Sequence, residues 1–276
     1  MSQGVSAADQ ADLIALLTEA GRAIVMPRFR ALGAETVRTK TGPLDLVTDA
    51  DEAAERFITE ALTARFPGCL VVGEEATAAD PGRLDRMRAA RLVFVLDPID
   101  GTANYAAGLP LFATMAAAIV EGRLAAAVIH DPVTRESCAA RAGQGAWQIA
   151  PDGTTRRLAV APPAAPAAMT GTLSWRYLPH NERELVMRGM LGLAGVYDFR
   201  CAGHQYRLLA NGQLHFSLYN RLLPWDHAPG YLIHAEAGGY GARFDGSPYS
   251  PFLATGGLIC APDKAGFDAL RDALLR

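Results

Sequence analysis

Residues 92–105, LVFVLDPIDGTANY, constrain this chain more than any other stretch. Residues 92–96 carry no polar side chain and mix β-branched with aromatic residues, the pattern of a strand buried on both faces. Asp97 stands at the carboxyl end of that strand, and Pro98, lacking a backbone donor, is expected to stop it. Asp100-Gly101-Thr102 is turn chemistry able to open a short helix whose first amides stay unbonded and point at an anion. Two carboxylates three positions apart at one strand end repel unless a cation lies between them, so a divalent metal shared by Asp97, Asp100 and a phosphate is the economical reading. An ordinary Asp-Gly turn is the competing one.

The juxtaposition recurs. Residues 70–72 form a short apolar run that ends in Gly73-Glu74-Glu75. Asp226 stands before a helix expected to carry Pro229 in its first turn and to stop at Gly238-Gly239. Asp45, Asp49 and Asp51 crowd the start of a helix running to Phe66, with Asp49 expected to cap it and Glu52 to reciprocate. Capping explains one or two of those acids, less readily three.

The remaining chain supplies the scaffold. Helical patterns cover 8–30, 181–193, 205–210 and 263–275, and strand-like runs cover 111–120, 124–130, 145–149, 158–160, 196–201, 214–218 and 258–261. Residues 76–91 read as a loop with one helical turn, and the Pro/Ala-rich 161–168 as a linker between halves of one domain spanning 1–276. The half up to about residue 160 holds most of the acids, and the half from about 161 holds Asp226. A net charge of −3 without a Lys/Arg block argues against a nucleic-acid partner. Cys69, Cys138, Cys201 and Cys260 lie singly, without metal or redox spacing. No secretory pattern opens the chain, and its longest apolar runs fall short of the roughly 18–20 residues that span a bilayer, so a cytoplasmic location is expected.

An α/β fold gathers strand ends and helix starts into one crevice. Glu74, Asp97, Asp100 and Asp226 are an all-oxygen donor set, which suits Mg2+ or Mn2+ better than zinc. Two such ions roughly 3.5–4 Å apart can activate water and neutralise a leaving alkoxide, the chemistry of a phosphatase without a covalent enzyme intermediate. Ser174 and Cys201 are therefore expected to be structural or to face substrate.

The ordered motifs DLVTDAD, VVGEEA, LDPIDGTANY, WDHAPG and EAGG resemble those of the inositol monophosphatase family of metal-dependent, lithium-sensitive phosphatases, along nearly the whole chain. The resemblance implies an α/β/α/β/α layered sandwich of the inositol monophosphatase and fructose-1,6-bisphosphatase type, two or three Mg2+ ions, and a homodimer. It implies that Glu74, Asp97 and the Ile99 carbonyl hold a first metal, and that Asp97 bridges to a second held by Asp100 and Asp226. It further implies that Glu74 and Thr102, the latter oriented by Asp51, position the attacking water, that Gly101 and Thr102 amides receive phosphate, and that Lys40 supplies a basic residue. The chain departs from the family on the substrate side, with bulky His204 and Gln205 where small residues are usual and Tyr219 where an acid aligns. These three residues are expected to line the alcohol pocket, although His204 and Gln205 could equally cap a helix start. The substrate expected is inositol phosphate or a related small polyol phosphate, with histidinol phosphate, fructose 1,6-bisphosphate and a 3′-phosphoadenosine nucleotide as rivals. Sparse Lys/Arg near the motifs argues against the last two. A regulatory protein associated with transcription machinery is the alternative of another class. His130, His180, His215, His227 and His234 are expected to be structural.

Overall fold

A computed structural model describes residues 5–31, 37–42 and 45–276. Helix α1 (Ala7–Ala20) opens on a capping box in which Ser6 and Asp9 exchange side-chain bonds to each other's amides, 3.0 and 3.1 Å. It continues through a π-helical turn, Gly21–Val25, into the short α2 (Met26–Arg28), so the expected helix over 8–30 is three pieces. Strands β1 (Val37–Gly42) and β2 (Asp45–Thr48) form an antiparallel ribbon leading into α3 (Asp49–Arg65). Then follow β3 (Leu70–Gly73), α4 (Glu74–Ala79), α5 (Gly82–Arg86), β4 (Leu92–Asp100) and α6 (Thr102–Ala106). Strands β5 (Ala113–Val120), β6 (Arg123–Asp131), β7 (Glu136–Arg141), β8 (Ala146–Ile149) and β9 (Thr155–Arg157) complete a sheet of order β3-β4-β5-β6-β7-β8-β9.

The chain next forms β10 (Thr170–Leu173), α7 (His180–Gly189), β11 (Gly195–Tyr197), α8 (Ala202–Ala210), β12 (Phe216–Tyr219), α9 (Pro224–Glu236), β13 (Tyr240–Ala242), β14 (Leu258–Ala261) and α10 (Lys264–Leu275). Its strands give a second sheet of order β11-β10-β12-β14-β13.

Three apolar clusters define the layers. Leu13 and Leu17 of α1 and Ile58 and Leu62 of α3 pack on Phe94, Leu96, Ala116 and Val128 of the first sheet. Its other face, through Val93, Val95, Met115 and Ile129, meets Tyr206 and Leu209 of α8 and Leu232 and Ile233 of α9. Leu258 and Cys260 of the second sheet join that same cluster. On the far face of the second sheet, Leu218 and Ile259 pack on Val186 of α7 and Phe267, Leu270 and Leu274 of α10. The result is an α/β/α/β/α sandwich in which both sheets are covered on both sides, which is why β4 and β5 of the first sheet read as largely unbroken apolar runs.

Several local expectations are corrected. Pro98 does not end β4: the strand continues to Asp100, with a register shift against β5 between Asp97 and Asp100, and the Pro98 carbonyl accepts from Thr114 Oγ1 at 2.9 Å. A bulge absorbs the missing donor. Thr48, not Asp49, caps α3, and Asp51, not Glu52, reciprocates, with Thr48 N donating to Asp51 Oδ2 at 2.9 Å. Asp49 and Glu52 instead pair with Arg38 of β1 at 3.1 and 2.9 Å. Helix α9 begins at Pro224, so Asp226 lies inside its first turn and Pro229 in its interior. Residues 76–91 contain parts of two short helices, α4 and α5.

Candidate active site

The bulge in β4 re-aims its last residues toward the starts of α4, α6 and α9. Glu74 opens α4, Asp226 occupies the first turn of α9, and each offers a carboxylate oxygen within 4.8 Å of one from Asp97. Asp97 is 2% exposed and accepts from Ile99 N at 3.0 Å. Burial first, then the neighbouring charges of Glu74, Asp100, Asp226 and Asp51, hold its carboxyl well above the usual carboxylate range. Asp100 lines the same cleft, and burial pushes it up to about 6. Its Oδ2 accepts from Gly203 N at 2.5 Å and from the Cys201 thiol at 2.9 Å, so one oxygen is committed to α8. A Cβ on Gly203 would meet Met115 Sδ at 2.8 Å, which is why this approach requires glycine.

Thr102 begins α6 after Gly101, whose φ of 88° is the left-handed conformation that favours glycine. The Thr102 hydroxyl lies 3.2 Å from Asp51 Oδ1 and 2.9 Å from the Ile99 carbonyl. Asp51 thus joins the cap of α3 to the turn after β4. Glu55, which no motif marks, is buried and accepts from the amides of Glu75 (2.8 Å) and Ala76 (2.7 Å) at the start of α4.

Gln205 and Tyr219 line the cleft, both 2% exposed. Tyr219 rests on the rings of Tyr206 and His227, and its hydroxyl has no hydrogen-bond partner among the described residues. His204 does not line this cleft. It borders a second cavity, with Nε2 3.1 Å from the Phe112 carbonyl and Nδ1 3.3 Å from Arg207. Lys40 lies on β1, and its side chain falls outside the described residues. Arg176, Tyr177, Asp198, Arg200 and Arg221 also line the cleft, unforeseen because they arrive from loops outside the acidic motifs.

The donor set fits a divalent cation. It is wholly oxygen, and the mutual repulsion that raises Asp97 is what such an ion relieves.

A family model described as the inositol monophosphatase family matches residues 9–274. The chain belongs to the inositol monophosphatase family. It is similar to a Pseudomonas aeruginosa protein named Nus factor SuhB, 32% identical over 235 residues that cover 82% of this chain and 81% of the relative. It is also similar to a Mycobacterium leprae inositol-1-monophosphatase, 32% identical over 250 residues that cover 89% of this chain and 84% of the relative. Among solved structures, the Bartonella henselae extragenic suppressor protein suhB superposes with a TM-score of 0.82 at 26% identity, covering 97% of this chain and 98% of that one. This inositol monophosphatase family member is a metal-dependent phosphoric monoester hydrolase. Among its described residues, no helix is long and apolar enough to cross a membrane.

Proposed function

We propose that this phosphatase releases phosphate from inositol phosphate or a related small polyol phosphate, with Mg2+ at the carboxylate cluster. Glu74, Asp97, Asp100, Asp226 and the Ile99 carbonyl are the groups that would hold two or three ions. Bound there, such ions supply Lewis acidity, which makes water nucleophilic near neutral pH and neutralises charge on the phosphoryl and leaving oxygens. The chain's own groups do the rest. Thr102 Oγ1 accepts from the attacking water while its own proton faces Asp51 Oδ1, 3.2 Å away. Asp51 is kept in place by Thr48, whose amide and hydroxyl both donate to Oδ2 at 2.9 and 2.5 Å. Glu74 holds the water from the other side, and the Gly101 and Thr102 amides at the start of α6 receive phosphate oxygens. Gln205 and the Tyr219 ring, which line the cleft, shape the alcohol side, while His204, turned toward the second cavity, drops out of that pocket.

The observation that carries this reading is the convergence of Glu74, Asp97 and Asp226, from three separate elements, on one point in a cleft. Phosphate release from a phosphate-ester panel, with Mg2+, with a chelator and with lithium, tests it. Activity is expected to require Mg2+ and to fall with lithium. Asp97→Asn is expected to cost at least about 100-fold in kcat. The same variant should leave the metal-free protein no less stable, because the repulsion that raises Asp97 disappears. Turnover indifferent to both chelator and Asp97→Asn would contradict the proposal.

A further inference from the structure

Asp100 commits one of its two carboxylate oxygens to another element. Oδ2 accepts from Gly203 N at 2.5 Å and from Cys201 Sγ at 2.9 Å, both at the start of α8, which leaves Oδ1 as the oxygen to offer a cation. Cys201 makes no side-chain cap bond of its own, and Asp100 of β4 takes that place at the positive end of the helix. The orientation of Asp100 therefore depends on where α8 begins.

Two side chains one turn apart on α8, His204 and Arg207, tie it to the first sheet. A carbonyl oxygen only accepts, so His204 Nε2 carries the proton and donates to the Phe112 carbonyl, 3.1 Å away. Nδ1 then keeps its lone pair, which faces Arg207 Nη1 at 3.3 Å. Burial first, then the Arg207 charge, lowers the pKa of this ring and favours the neutral form that the pattern needs. Arg207 in turn bonds Asp131 of β6 at 2.6 Å and Glu136 of β7 at 3.1 Å, with its own side chain 13% exposed. Phe112 is fully buried and adjoins Ala113, the register partner of Asp100 across β4 and β5. The path of bonds thus starts on β6 and β7 and ends beside the strand pair that carries Asp100. It has little slack, since a Cβ on Gly203 would lie 2.8 Å from that of Ala113.

We infer that His204, seated by Arg207, is a positioning residue for Asp100: by clamping the start of α8 to the head of β5 it keeps the Gly203 amide on Asp100 Oδ2 and so leaves Oδ1 to the cation. This rests on the phosphatase reading above and adds to its machinery a residue that touches neither cation nor substrate. His204 neither lines the alcohol pocket nor caps α8, the two roles open to it from sequence, because its partners lie on strands far from it in the chain.

Hydrogen exchange at the Gly203 amide, followed in the metal-free protein, reads the clamp directly, and calorimetric titration with Mg2+ reads its consequence. His204→Ala is expected to speed that exchange by at least about tenfold and to weaken Mg2+ binding by about tenfold, with the KM for inositol 1-phosphate at saturating Mg2+ near that of wild type. His204→Gln, whose amide can still donate to the Phe112 carbonyl, should bring both quantities back toward wild type. A residue that merely stabilised the fold would lower the melting temperature without singling out Gly203 or Mg2+. Wild-type exchange or wild-type Mg2+ affinity in His204→Ala, or losses that His204→Gln shares in full, overturn the inference and leave the phosphatase reading intact. A wild type that binds Mg2+ in this His204-dependent way, yet releases no phosphate from any ester of the panel, upholds the clamp and refutes the phosphatase reading.

Discussion

At the scale of single residues, the site depends on groups that never touch a substrate. Gly73 precedes Glu74, and a Cβ there would lie 2.3 Å from the Glu55 carboxyl carbon, so glycine is what lets Glu55 bond the amides of Glu75 and Ala76. Gly73→Ala is expected to push Glu55 away from those amides, cost about 1–3 kcal/mol and lower kcat by moving Glu74. Urea denaturation with parallel steady-state assays would show both effects; an intact rate would mean that Glu55 does not position Glu74. Glu55 was illegible because, inside DADEAAERF, it has the spacing of any solvated helix acid, and its role exists only where α3 passes β3. Asp97 and Asp100 stood out because an uninterrupted apolar run ends in two carboxylates three positions apart, and the same juxtaposition recurs at Glu74. The cleft arginines carried no such mark, being set in ordinary loops.

At the scale of elements, what was hard to read is what the neighbouring element decides. Thr48 and Asp49 are both good caps, and only the pairing of Asp49 with Arg38 leaves the capping to Thr48. Strand β10 is absent from the strands read in the sequence because TGTL is short and polar, yet Thr172 shares a buried hydrogen bond of 2.6 Å with Ser217, and Gly171 makes room for the Phe216 ring. The layering came from family resemblance rather than periodicity, since covering both faces of a sheet erases the alternation. Helices α8 and α9 pack between the sheets and bring Gln205 of the one and Asp226 of the other to the same cleft. Their approach hinges on Gly230, where a Cβ would fall 2.0 Å from the ring of the fully buried Tyr206. Gly230→Ala is expected to destabilise by about 1–3 kcal/mol and to lower activity by spreading the two helices. Pairing it with Tyr206→Leu should recover part of the stability in a double-mutant cycle, whereas simple additivity would mean that the clash is relieved elsewhere.

At the scale of the whole molecule, the five layers bury histidines where a charge has no outlet. His130 on β6 and His234 on α9 are each 1% exposed, and burial pushes both down to about 4. His234 Nε2 lies 3.1 Å from the Ala261 carbonyl and so carries the proton, while its Nδ1 has no partner among the described residues. In the folded protein these rings stay neutral, whereas in the unfolded chain they take up a proton near 6.5. The unfolded state therefore binds more protons between about 4 and 6.5, so the stability from keeping the rings neutral is complete above that window and is lost as pH falls through it. Each histidine accounts for about 3 kcal/mol over the full window. Asp97 and Asp100 act in the opposite sense in the metal-free protein, because carboxyls raised by burial gain protons on folding as the medium acidifies. A wild-type curve of stability against pH is thus a sum of opposing slopes, and the informative quantity is a difference. His234→Gln keeps an amide donor near the Ala261 carbonyl and removes the titration. Subtracting its unfolding free energies from those of wild type between pH 7.5 and 4.5 should leave a curve that falls with acid by about 1.4 kcal/mol per unit once below 6.5. A flat difference would mean that His234 accepts its proton inside the fold, and that the middle layer admits water the packing shows no room for.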